Sequence, residues 1–174
     1  MISIGGGARF GAGPEDLAQL LLACHQRIRS FSALALRIGS EEGLGAVELR
    51  EGCERVARYF TEALPLHVKD EEEGLIPQLR RREPELDRAL EQMASEHRQH
   101  EPLLAELQRA LQDALSEPAE RAPRTQLARV AALLGPELER HLDQEERLIF
   151  PAIPRLLSFD AQQQLILELR ARRR

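Results

Sequence analysis

His67-Val68-Lys69-Asp70-Glu71 and His141-Leu142-Asp143-Gln144-Glu145 are one phrase written twice, and the repeat decides the fold. In each, an imidazole and a carboxylate stand four residues apart, which puts them on one face of a helix. The phrases run on alike, into Glu71-Glu72-Glu73-Gly74-Leu75-Ile76-Pro77 and Glu145-Glu146-Arg147-Leu148-Ile149-Phe150-Pro151, each with its proline ten residues after the histidine. Upstream, His25 precedes His67 by 42 positions and His97 precedes His141 by 44. The two halves are thus offset by 72 at one histidine and by 74 at the other, an αα-hairpin repeated with a slip of two residues. Packed on itself, such a hairpin pair makes an antiparallel up-down four-helix bundle whose inward side chains meet at similar depth.

The rest of the chain agrees with an all-α class. Aromatics are 3% of the residues, β-branched residues are few, and Leu, Ala, Glu, Arg and Gln abound, all favouring helix over strand. The spacing predicts helices from Pro14 to about Arg37, Ala46 to Glu73, Pro84 to Ser116 and Arg124 to Ile149, then a short fifth helix from Ala161 to Ala171 capped by Ser158 or Asp160. Pro65, Pro102 and Pro136 fall inside these helices and are expected to bend them. The expected organisation is a flexible arm over 1–13, the bundle over 14–157, and a short helix with a basic tail over 158–174. The tail arginines are read as solvated, complementing the last helix end.

With 174 residues the chain is one domain by length, large enough to bury a core without disulfides. A net charge of -5 argues against nucleic acid as the main partner. No apolar run is long enough to span a membrane, and the N-terminus lacks the charged start and apolar stretch of a signal peptide. Cys24 and Cys53 make no disulfide framework, so a reducing, cytoplasmic setting is the simpler reading.

Burying His25, His67, Glu71, His97, His141 and Glu145 without partners would be expensive. Leu75, Ile76, Leu148, Ile149 and Phe150 nevertheless carry these segments toward the core. A cation would satisfy several of the polar groups at once. Six ligands exceed what one tetrahedral zinc takes and suit two ions sharing bridging carboxylates, with iron first and manganese behind it. His100, three residues after His97, lies near the same face and is a further candidate. Glu72 and Glu146 point about 100° away from their neighbours on an ideal helix, so they are read as solvated or as outer partners, and replacing Glu72 is expected to do little. Cys24 is read as a small apolar residue turned away from the site, Tyr59 as a core residue, and Asp70 to Glu73 as a solvated acidic face.

Four elements together resemble the hemerythrin-like (HHE cation-binding) domain: Cys24-His25-Gln26-Arg27-Ile28-Arg29, His67-x-x-x-Glu71 with Pro77, Glu96-His97-Arg98-Gln99-His100, and His141-x-x-x-Glu145 with Leu148-Ile149-Phe150-Pro151. The resemblance covers most of residues 15 to 157. It implies a diiron centre, oxo- or hydroxo-bridged, held by His25, His67, Glu71, His97, His141 and Glu145, with Glu71 and Glu145 bridging and His100 as a fifth histidine. Manganese or zinc rank behind iron. Oxygen-carrying relatives separate the third-helix histidines by four residues rather than three, and use a more widely spaced aspartate where Glu145 stands. Both departures point to the broader bacterial group rather than to a dedicated oxygen carrier. The implied function is binding or reaction with O2, peroxide or NO, all of which fit the same ligands, with or without turnover. The alternative is a redox, oxygen or iron sensing module acting through a protein partner.

Overall fold

The computed structural model describes residues 16–174, and these form helices joined by short links with no strand among them. The expected arm over 1–13 and the helix start at Pro14 lie outside the described residues. Helix α1 is Leu17–Ser40, begun by the Asp16 carboxylate accepting the Ala18 N–H at 2.9 Å. Helix α2 spans 46–79, α3 is Pro84–Ser116, α4 spans 121–149, α5 is Ala152–Leu156 and α6 is Phe159–Ala171. Between α1 and α2 the chain turns at Gly43, whose φ of 86° suits a residue without a side chain.

Helix α1 packs on α2 and α4, and α3 packs on the same two. Their direction follows from cross-contacts. His25 near the start of α1 meets Glu71 and Glu145 near the ends of α2 and α4. At the other end of α1, Arg124 near the start of α4 donates to the carbonyls of Ile38 and Glu41. Likewise Gln108 of α3 bonds Ala57 of α2, whereas His97 bonds Glu72. Neighbours are antiparallel throughout, so the up-down bundle expected from the sequence is the observed one.

Three prolines follow a local distortion of the helix ladder. Pro65, Pro77 and Pro151 each follow a widened turn in which the preceding residue donates five positions back: Leu64 to Tyr59, Ile76 to Glu71 and Phe150 to Glu145. Proline cannot donate and its ring crowds the carbonyl four residues earlier, and a π-type turn relieves that crowding while keeping the ladder intact. Gly74 and Pro77 therefore do not end α2, which continues to Leu79. Helices α3 and α4 run unbroken through Pro102 and Pro136. Two of the three widened turns contain the glutamate of the repeated phrase.

Apolar side chains gather in two separate cores. One holds Ile28, Val56, Phe60, Leu111, Leu127 and Leu134; the other holds Leu21, Leu75, Leu90, Ile149, Ile153 and Ile166. The polar layer of histidines and glutamates lies between them. One apolar expectation is corrected: Leu148 faces solvent.

The basic tail is also corrected. Arg172 and Arg173 fold back onto Asp70, whose carboxylate is fully buried one residue before Glu71. Asp70 is thus part of the interior rather than of a solvated face, because α6 packs on α1 and on the widened turn over 70–75. Deleting residues 172–174 strands that carboxylate, and the expected loss is about 3 kcal/mol, the low end for breaking a buried pair since both arginines are partly exposed. Urea unfolding of the truncated chain checks it; an unchanged midpoint would refute it.

Candidate metal centre

Each long helix contributes one inward histidine to the polar layer, His25 from α1, His67 from α2, His97 from α3 and His141 from α4, and all four are buried. The carboxylates Glu71 and Glu145 lie between them and are almost wholly excluded from solvent. One oxygen of Glu71 is 3.2 Å from His67 Nε2 and 3.8 Å from His25 Nε2, while its other oxygen is 3.4 Å from His97 Nε2. Glu145 mirrors it. Its Oε2 is 3.1 Å from His25 Nε2, and its Oε1 is 2.9 Å from His141 Nε2 and 3.9 Å from His97 Nε2. Each glutamate therefore spans two histidine pairs, His25/His67 on one side and His97/His141 on the other.

These donors form two groups compact enough to hold an ion: His25, His67, Glu71 and Glu145, and His97, His141 and Glu145, with Glu145 common to both. The inward atoms are otherwise orphaned. His25 Nε2, His67 Nε2, His97 Nε2 and all four carboxylate oxygens of Glu71 and Glu145 are buried without a hydrogen bond. Native interiors leave few polar atoms in that state, since each costs the loss of its hydration. So many converging on one layer is what cation ligands look like without their cation, and the donor set of imidazoles and carboxylates suits a transition metal.

On their far sides, three of the four rings are fixed by a carboxylate. His25 Nδ1 bonds Glu146 at 2.8 Å, His97 Nδ1 bonds Glu72 at 2.9 Å, and His141 Nδ1 bonds Glu96 at 2.8 Å. Such outer bonds fix the tautomer and aim the other nitrogen at the metal. Of the two readings of Glu72 and Glu146, the outer-partner one is observed, and replacing Glu72 should therefore be felt at His97. Arg29 holds Glu146 in turn at 2.7 Å, and Gln92 holds Glu96 at 2.9 Å. The role of Glu96 escaped the sequence reading, although it stood inside the quoted Glu96-His97 pair; its partner is a histidine 45 residues on and one helix away. His67 is the exception. Its Nδ1 is buried without a hydrogen bond; Glu71 acts on this ring most strongly and the Cys24 thiol next, so Cys24 lies toward the site rather than away from it. Tyr59 is in the core as expected, stacked on Phe31 with ring centroids 4.1 Å apart.

His100 is not brought into either group. Its ring stands edge-on to His141 at a centroid distance of 5.1 Å. Three residues leave it about 60° short of the His97 direction on a regular helix, and α3 has no widened turn there to correct the aim. Burial, reinforced by His141, pushes it down to about 4.

Electrostatics tie the layer together. Burial opposes charge on His25, but Glu145 and Glu71 outweigh it and push the imidazole up to about 10. Burial likewise opposes charge on His97, and Glu71 with Glu72 pushes it up to about 9. Glu71 is desolvated, yet the surrounding histidines hold it well below the usual carboxylate range. Without metal, the glutamates thus favour protonated imidazoles at His25 and His97.

A helical bundle with a buried histidine–carboxylate layer between two apolar cores defines a class of cation-binding protein. The family model described as Hemerythrin HHE cation binding domain matches residues 16–153, and the chain belongs to that family. No curated protein matches it in a sequence search.

Proposed function

We propose that this chain is a non-haem diiron protein that binds or reacts with a small oxidant or diatomic molecule: O2, peroxide or NO. The observation that carries the reading is the position of Glu145, with each buried oxygen turned to a different histidine pair. His25 and His67 would hold one iron and His97 and His141 the other, with Glu71 and Glu145 bridging; His100 stays beside the second pair. Bound iron supplies one-electron redox change and Lewis acidity toward small oxygen and nitrogen ligands. The protein's own part is to aim the four imidazoles, through Glu146, Glu72 and Glu96 for three of them, and to keep bulk water out with the two flanking cores. No helix among the described residues is long and apolar enough to cross a membrane, and the two free, buried cysteines fit a reducing, cytoplasmic setting.

The test is to load the protein with iron, reduce it without air, and titrate with NO and then with peroxide. A saturable spectral change with NO, or peroxide consumed catalytically, supports the reading; an iron-loaded protein inert to both overturns it.

Metal uptake should expel protons. At pH 7.5 His25 and His97 hold protons in the metal-free protein, since their values lie near 10 and 9. Affinity is therefore expected to rise with pH until those values are passed, and calorimetry in buffers of different ionisation enthalpy should report proton release. Stability of the metal-free fold should run oppositely. The raised histidines contribute fully below their unfolded value of about 6.5, and that contribution is lost as pH rises through about 9 to 10. An affinity independent of pH from 6.5 to 9 would contradict the assigned ligands.

One contact favours a second reading, a sensing module. Glu71 adjoins Asp70, which Arg172 and Arg173 clamp to the end of α6. A shift of Glu71 on metal loss would be felt there first. Hydrogen exchange in α6 that differs between iron-loaded and iron-free protein, without turnover, would support this reading over the first.

A further inference from the structure

The bundle offers four seams to the polar layer, and carboxylate contacts cross all of them. Between α1 and α4, Arg29 joins Glu139 and Glu146. Between α2 and α3, Glu72 holds His97. On the α1/α2 side, Arg172 and Arg173 cover Asp70. Between α3 and α4, Glu96 holds His141, but beside that pair the seam is open as far as the proposed ligands. There a cleft of about 10 Å³ has its floor at His141 and Glu145, with walls from Met93 and Ile149. Its mouth is crossed by a neutral bond, Gln92 Nε2 donating to Gln144 Oε1 at 3.1 Å, and is flanked by the solvent-facing Leu148. A neutral amide bond at an exposed rim is easier to open than an ion pair, because water replaces it at little cost.

Resting on the diiron reading, we propose that this α3/α4 seam is the entrance to the centre, that Gln92–Gln144 is its latch, and that its width selects the ligand. A space of this size holds about one water molecule. It passes O2, NO or hydrogen peroxide, and it stops an organic hydroperoxide whose carbon chain has no room past Met93 and Ile149. The apolar walls favour uncharged ligands over anions. The latch also reaches the site, since Gln92 bonds Glu96 and Glu96 holds His141.

Two variants test it in the iron-loaded protein, each first shown to hold as much iron as the parent. Ala89→Phe places a ring at the rim, and the association rate of NO, read by stopped-flow absorbance, is expected to fall roughly tenfold. Gln144→Ala removes the latch, and the spectral reaction with tert-butyl hydroperoxide is expected to quicken roughly tenfold while that with hydrogen peroxide changes little. Unchanged NO association in the first variant together with an unchanged organic hydroperoxide rate in the second overturns the seam and leaves the diiron reading standing. A parent protein that holds iron but answers neither NO nor peroxide overturns both. Should Ala89→Phe fail to fold, Gln144→Ala decides alone.

Discussion

Glu145→Ala is expected to remove metal from both halves of the centre at once. Each of its oxygens faces a different histidine pair, at 3.1 Å from His25 and 2.9 Å from His141. A ligand serving one ion would, when lost, leave the other in place. Loss of a shared carboxylate also removes the negative charge that offsets two cations in a buried layer. Iron content should fall from two per chain to near zero, with affinity lowered more than about 100-fold, while the far-ultraviolet spectrum stays helical because the two apolar cores lie on either side of the change. Loss of only one iron would show that Glu145 belongs to one half. His67→Ala gives the comparison, since His67 belongs to one donor group where Glu145 belongs to both.

The second large effect is on the fold itself. Gly39 lies in the last turn of α1 where α4 crosses, and a Cβ added there would sit 2.4 Å from the Ala128 backbone nitrogen. Helix propensity favours alanine over glycine by about 1 kcal/mol, so a stabilisation is the naive expectation. Overlap with backbone should reverse it. Main chain cannot rotate aside as a side chain can, and overpacking of this kind costs about 3 kcal/mol or more. For a chain of this size that is a melting temperature lower by roughly 6–12 °C. Gly135→Ala is the internal control: no atom lies within 4 Å of its added Cβ, and it should be neutral or slightly stabilising. A Gly39→Ala protein that melts at or above the parent temperature would show that α1 and α4 do not approach so closely.

Helix order, the bundle and the inward residues were legible because they rest on local spacing. Histidine and glutamate four apart share a helix face whatever the tertiary context, and the repeated phrase marks two helices at equal depth. The prolines ten residues on were legible as features but not as causes. Each follows a turn widened to five residues, and in such a turn each residue advances the helix by less than 100°. Face assignments downstream of Glu145 therefore slip, which is why Leu148 points to solvent rather than to the core. What remained hidden depends on distant parts of the chain. Asp70 reads as one more acid in an acidic run until α6 brings Arg172 and Arg173 over it. Glu96 reads as a neighbour of His97, yet its carboxylate serves His141. Cys24 lies next to His25 in the chain, but in space the histidine it acts on is His67 of the next helix.

Metal content of freshly purified protein, paired with its absorption spectrum before and after dithionite, tests the paired site most directly. The proposed diiron centre predicts two irons per chain, one for each donor group sharing Glu145, with a near-ultraviolet charge-transfer band that bleaches on reduction. A single colourless zinc per chain, or no metal after reconstitution with ferrous iron, would contradict the bridged pair while leaving the helical bundle intact.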